Sequence, residues 1–193
     1  MKLLLFGDTH GLDTYPQLQE KSRHTDLAVC VGDITRGGAD IIPIVEKLNQ
    51  LETEVLIVHG NHERKSTMKK LCEDKENVTF IHKKIEKRKN YSFIGFGGEG
   101  FTFRSEEFET FIKNQDLSKH PRKILVTHQP PRYTAIDKVR NRHVGNNSYR
   151  KFIDANHPVL SVAGHIHENE GVTDTIRKTT VLNPGPKGYL ITL

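Results

Sequence analysis

Apolar residues fall along this chain in short unbroken runs separated by longer amphipathic or polar stretches. Residues 3–6, 27–31, 55–58, 124–127 and 159–163 are apolar throughout or nearly so, with no polar alternation. Runs of this length bounded by turn signals predict strands covered on both faces, as in parallel sheets packed between helices. Residues 13–24 are polar with a few apolar positions and predict a surface helix. Residues 41–51 place Ile41, Ile44, Val45, Leu48 and Leu51 at helical spacing and predict a crossover helix. Three strand–helix units in a row predict a parallel sheet with right-handed crossovers.

Downstream, the pattern predicts a short helix over 66–73, a strand over 78–81 and a solvated turn or edge over the charge-rich 83–90. A strand over 91–96 runs into Gly97-Gly98-Glu99-Gly100, and a helix over 105–114 starts at Ser105. Residues 129–147 form the longest stretch without a pattern, and long patternless loops in compact domains are often functional. A short helix is predicted over 149–155. Residues 172–176, 180–182 and 189–192 read as a closing antiparallel set. No repeat, linker or low-complexity segment divides the chain, so one domain over 1–193 is expected.

Composition changes this picture little. The chain has 193 residues, 35% hydrophobic and 27% charged, with a formal charge of +5 and a pI near 9.1. An anionic substrate suits that charge. A nucleic-acid surface would need Lys and Arg clustered on one face, and here they are scattered. Cys30 and Cys72 are the only cysteines, which excludes a disulfide framework. The first apolar run is too short for a signal peptide and no stretch reaches membrane-spanning length, so a cytoplasmic location is expected.

The chemistry sits where the apolar runs stop. The first ends in Gly7-Asp8-Thr9-His10, the second in Gly32-Asp33, the third in Gly60-Asn61-His62-Glu63, the fourth in Thr127-His128 and the fifth in Gly164-His165-Ile166-His167. In open α/β sheets sites form beyond the C-terminal strand ends, where all of these residues lie. Any one Asp or His at a turn is ordinarily a cap or a surface group. Five strand ends in one chain bearing ligand chemistry point to a metal site. Carboxylate, amide and imidazole ligands without thiolate suit Mn, Fe, Zn, Co or Ni. His24, His82, His120 and His157 fall outside any ligand spacing and are expected at the surface or in caps, and His59 as packing behind the ligands.

Taken in order, these motifs resemble those of the calcineurin-like metallophosphoesterases, and the compact length and the Asn183-Pro184-Gly185 tail resemble the small prokaryotic members. The resemblance implies a four-layer α/β/β/α double β-sandwich with two divalent metals, manganese first among them. It implies one metal on Asp8, His10, Asp33 and His167, and a second on Asp33, Asn61, His128 and His165, with Asp33 bridging. His62 would face the substrate, and Glu63, where many members have Asp, would orient it. Two dications against Asp8, Asp33 and a bridging hydroxide leave about one positive charge, which favours an anionic phosphate ester.

The activity implied is hydrolysis of a small-molecule phosphate ester, with phosphodiesters favoured. A metal-bridging hydroxide would attack in line, and a protonated His62 would act on the leaving oxygen. Arg36 follows Asp33 one residue closer than the Arg of the protein phosphatase branch; it is a candidate phosphate contact, as is His143 in the long loop. A nuclease and a non-catalytic interaction scaffold are the alternatives. The scaffold branch lacks the catalytic histidine that this chain keeps.

Overall fold

In the computed structural model, which describes residues 1–193, the apolar runs are strands whose alternate side chains face two different cores. β1 (Lys2–Phe6), β2 (Leu27–Cys30), β3 (Val55–Ile57) and β4 (Val78–Phe80) pair in parallel in that order. β5 (Lys84–Arg88) and β6 (Tyr91–Phe96) form a hairpin, and β7 (Lys123–Thr127) lies parallel to β6. A small hairpin comes next, β8 (Lys138–Val139) with β9 (Arg142–His143). β10 (Leu160–Val162), β11 (Thr173–Ile176), β12 (Thr179–Leu182) and β13 (Tyr189–Thr192) complete the set. The first sheet runs β13-β1-β2-β3-β4 and the second β11-β12-β10-β7-β6-β5.

The unbroken apolar runs result from layering. In β1, Leu3 and Leu5 enter the core between the sheets, while Leu4 and Phe6 enter the core under the helices. β2 and β3 divide in the same way, with Val29 and Leu56 between the sheets and Cys30 and Ile57 under the helices. On the second sheet, Phe93, Ile124 and Leu160 face the first sheet, while Ile94, Leu125 and Val181 face away. Helices α1 (Tyr15–Ser22), α2 (Ile41–Asn49) and α3 (Lys65–Glu73) cover the first sheet. Helices α4 (Glu106–Lys113) and α5 (Asn147–Asn156) cover the second. Each large aliphatic side chain so buried contributes about 1.5–3 kcal/mol. The layers are α/β/β/α, as expected. Ser105 caps α4 by accepting from the Phe108 N–H at 3.2 Å, also as expected.

Three details differ from the sequence pattern. The closing strands are not one antiparallel set. β12 pairs in parallel with β10, only β11 returns antiparallel on it, and β13 crosses to the other sheet to pair antiparallel with β1. Pairing partners are set by the crossover, which leaves no mark in a four-residue apolar run. His82 is buried rather than at the surface, because it continues the inward run of β4 and packs among His59, Phe80 and Phe96. The stretch 129–147 has internal structure: a 3-10 turn at Ala135–Asp137 and the β8–β9 hairpin.

Candidate metal centre

The C-terminal ends of β1, β2, β3, β7 and β10 meet at one rim of the two sheets. Backbone bonds tie the loops beyond them together. The Asp8 N–H donates to Gly32 at 2.9 Å, His10 to Asp33 at 3.1 Å, and Gly164 to His128 at 2.9 Å. The packing leaves no room for side chains at the glycines that precede the ligands. A Cβ on Gly60 would lie 1.9 Å from Asp33 Oδ1, and one on Gly164 would lie 2.2 Å from Asp8 Oδ2. Asp8, His10, Asp33 and His165 all have positive φ, at 53°, 46°, 50° and 71°. Such a conformation costs a non-glycine residue roughly 1–3 kcal/mol and persists only where the surroundings impose it. Four of them among the candidate ligands mark a strained, preorganised cluster.

The ligand atoms converge in three triplets, each within 4.8 Å: Asp8–His10–His167, His10–Asp33–His62 and Asp33–His128–His165. Asp33 occurs in two triplets and shares one of them with His10, so it lies between the outer sets. The ring nitrogens turned toward the centre face other acceptors. His10 Nδ1 donates to the Thr35 carbonyl at 2.8 Å, which leaves a lone pair on Nε2, 3.1 Å from His167 Nε2. His128 Nδ1 donates to the Val31 carbonyl at 2.9 Å and sets Nε2 3.0 Å from Asn61 Oδ1 and 3.3 Å from Asp33 Oδ2. His165 Nε2 is buried with no hydrogen-bond partner. Acceptors brought this close need a proton or a cation between them. Backbone carbonyls that fix imidazole tautomers are the usual support of metal ligands. The residues therefore fit divalent cations.

Electrostatics agree. Burial raises the Asp8 carboxyl above its ordinary range. Burial also works to raise Asp33, but the hydrogen bond and charge of His128 outweigh it and bring Asp33 to about 2. In return Asp33 overcomes the burial of His128 and raises its imidazole. Burial, and then the charge of His128, lowers His165 to about 4, so that ring is neutral near pH 7.

Comparison with known proteins assigns the cluster to a family. The family model described as calcineurin-like phosphoesterase matches residues 1–169, a span that holds every candidate ligand. The chain belongs to the calcineurin-like phosphoesterases. An uncharacterized protein of Methanocaldococcus jannaschii is 37% identical over 99% of this chain and 91% of its own length. A UPF0046 protein of Caenorhabditis elegans is 26% identical over 89% and 66%. Among solved structures, phosphopantetheinyl hydrolase from Mycobacterium tuberculosis superposes with a TM-score of 0.64 at 14% identity, covering 95% of this chain and 88% of its own. An anchor protein of the Plasmodium inner membrane complex superposes at 0.60 and 12% identity, covering 96% and 71%. These two share the fold and differ in named role, so the fold alone does not fix activity. Family membership together with the ligand triplets supports a metal-dependent phosphoesterase. No helix is long and apolar enough to cross a membrane.

For this calcineurin-like chain the geometry corrects one expectation. Glu63 does not touch the His62 ring. Its buried carboxylate accepts the N–H groups of Asp33, Thr35 and Gly60 at 2.9–3.0 Å and the Thr35 hydroxyl at 2.7 Å. It ties the loop after β3 to the loop after β2. The His62 ring is oriented instead by the Gly37 N–H, which donates to Nδ1 at 2.9 Å. Nε2 stands at the mouth, 3.9 Å from Asp33 Oδ2.

Arg36 is exposed, and neither it nor His143 makes a hydrogen bond, ion pair or ring contact with a candidate ligand. His143 Nδ1 donates to Asp137 Oδ1 at 2.6 Å. The contributions of Thr35 and Gly37 leave little mark in the sequence, because Gly37 acts through its backbone N–H and Thr35 through its carbonyl and N–H as well as its hydroxyl.

Proposed function

We propose that this chain hydrolyses phosphodiesters at a dinuclear centre, with manganese as the first choice of metal. One ion is assigned to Asp8, His10, Asp33 and His167, the other to Asp33, Asn61, His128 and His165. The observation that carries this reading is the set of facing acceptors, above all His10 Nε2 against His167 Nε2 at 3.1 Å and the unpartnered His165 Nε2. The chemistry that divalent ions supply in such a set is neutralisation of phosphoryl charge and water of lowered pKa.

The chain's own residues do the rest. Asp8 and Asp33 hold negative charge at the buried floor while the mouth stays open, so a phosphate enters from the His62 and His167 side. His62, with Nδ1 committed to Gly37, presents Nε2–H to the leaving oxygen and stabilises its charge. Arg36, which has no acidic partner, and His143, with Nε2 free, are left to meet the other substrate oxygens. The excess positive charge of the centre favours an anionic ester over a neutral one.

The test is turnover by metal-stripped protein, with and without Mn²⁺, of bis-p-nitrophenyl phosphate and p-nitrophenyl phosphate. Mn²⁺-dependent hydrolysis with the diester well ahead is expected. A monoester preference overturns the diester assignment, and no turnover with Mn, Fe, Zn, Co or Ni overturns the enzyme assignment. For His62 the expectation is leaving-group dependence. His62→Ala loses on the order of 100-fold on an alkyl ester, the scale of one lost donor, and far less on a nitrophenyl ester. Equal losses on both contradict its role at the leaving oxygen.

A further inference from the structure

We propose that Phe101 is a stacking face for a planar ring in the substrate, so that the ester taken here carries a heteroaromatic group of the nucleobase kind; this rests on the phosphoesterase reading above. Phe101 is 67% exposed, yet its ring lies 4.5 Å from the ring of His165. A large apolar face therefore stands open at the lip of a polar, charged centre. The other exposed aromatics nearby are engaged: the Arg132 guanidinium lies 5.0 Å from the rings of both Phe103 and Tyr133. The Phe101 ring pairs with the His165 ring and has no cation over it.

The loop that carries Phe101 is held in place by buried polar groups. Thr102 Oγ1 donates to Gln129 Oε1 at 2.9 Å, and Gln129 Nε2 returns a bond to the Thr102 carbonyl at 2.9 Å. Asn146 Nδ2 donates to Thr102 Oγ1 at 3.1 Å, and the Asn147 N–H donates to the Phe103 carbonyl at 2.8 Å. Gln129 and Asn146 are fully buried, and Gln129 directly follows His128. A network of this kind fixes one conformation, and a side chain fixed before binding loses little entropy on binding. Just before Phe101, the backbone passes so near the centre that a Cβ on Gly100 would lie 3.7 Å from His165 Cε1. A phosphoryl group at the centre and a ring on Phe101 can thus belong to one molecule.

The His62 side offers no such face. A cavity of about 640 Å³ beside His62 is lined by Gly37, Gly38, Arg64 and Thr67, with Ile41 its one apolar wall. It suits a polar leaving half, which leaves the ring to Phe101. Aromatic faces stack any nucleobase, so the assignment is to a class and not to one base.

The experiment is calorimetric titration of the Mn²⁺-loaded protein with AMP and with ribose 5-phosphate, which share a phosphate and differ by the base. AMP is expected to bind at least about tenfold more tightly, the scale of one base stacked on an aromatic ring. Phe101→Ala should bring the ratio of the two affinities to about one, and Phe101→Trp should keep it. Equal binding of both probes by the wild-type chain overturns the ring site while leaving the phosphoesterase reading in place. A fall in both affinities with the ratio intact in Phe101→Ala also overturns it, since Phe101 would then only support His165. AMP bound with ribose 5-phosphate unbound sustains the ring site and counts against the phosphate centre. Binding of neither probe overturns both.

Discussion

Glu63 and Asp137 are two buried carboxylates built into the same device at different places. Glu63 collects three backbone N–H groups and a hydroxyl. Asp137 collects the N–H groups of Tyr133, Thr134 and Gly145 and the imidazole of His143. Neither is a candidate metal ligand. The difference lies in what they hold. Glu63 fixes the loops that carry Asp33, Asn61 and His62, whereas Asp137 fixes a loop with no ligand on it. One carboxylate therefore sets the reacting centre and the other sets the rim, and the two roles can be separated by mutation.

The largest effect is expected for Glu63→Ala. It strands the N–H groups of Asp33, Thr35 and Gly60, each worth about 1–3 kcal/mol when left unsatisfied. Because those loops bear ligands, metal affinity should also fall about 10–100-fold, as measured by competition with a chelating dye. Asp137→Ala strands as many donors and should lower thermal stability comparably. Its metal affinity should stay within about twofold, because none of its partners is a candidate ligand, and the loss should appear in KM. An equal loss of metal affinity in both variants breaks the comparison.

A smaller effect separates the two regions by pH in the metal-free protein. Burial lowers His59 to about 3 and His82 to about 4, with neighbouring charges adding to it, and burial and His128 lower His165 to about 4. Their folded values lie below the ordinary 6.5, so the unfolded chain takes up protons first. Stability from these rings is complete above pH 6.5 and is lost as pH falls toward 3. The raised His128 and Asp8 have the opposite sign and offset part of this. Hydrogen exchange at pH 5 should show residues 59–63 opening before residues 130–146. Simultaneous opening would show that the loops are one unit.

Much of this architecture was legible in the sequence, for a physical reason. A strand between two cores must be apolar on both faces, so the unbroken run 27–31 argues for a buried strand, and the loops leaving the C-terminal ends of such parallel strands lie at one rim. That logic brings Asp8, His10, Asp33, Asn61, His128, His165 and His167 together, and the structure gathers them. The features that escaped depend on hydrogen-bond partners far apart in sequence. Glu63 is next to His62 in the chain, which suggested a pair, but positive φ at Asp33 turns the backbone N–H groups inward, and the carboxylate binds them there. The burial of His82 could have been read from the apolar run just before it. Asp137 had no spacing to reveal it, since its partners are backbone groups of its own loop.

The most direct test of the central claim is a crystal of the full chain soaked in Mn²⁺ and measured at the manganese edge. The account predicts two anomalous peaks, one against His10 and His167 and one against His128 and His165, both touching Asp33. A single peak, or peaks away from Asp33, would contradict it.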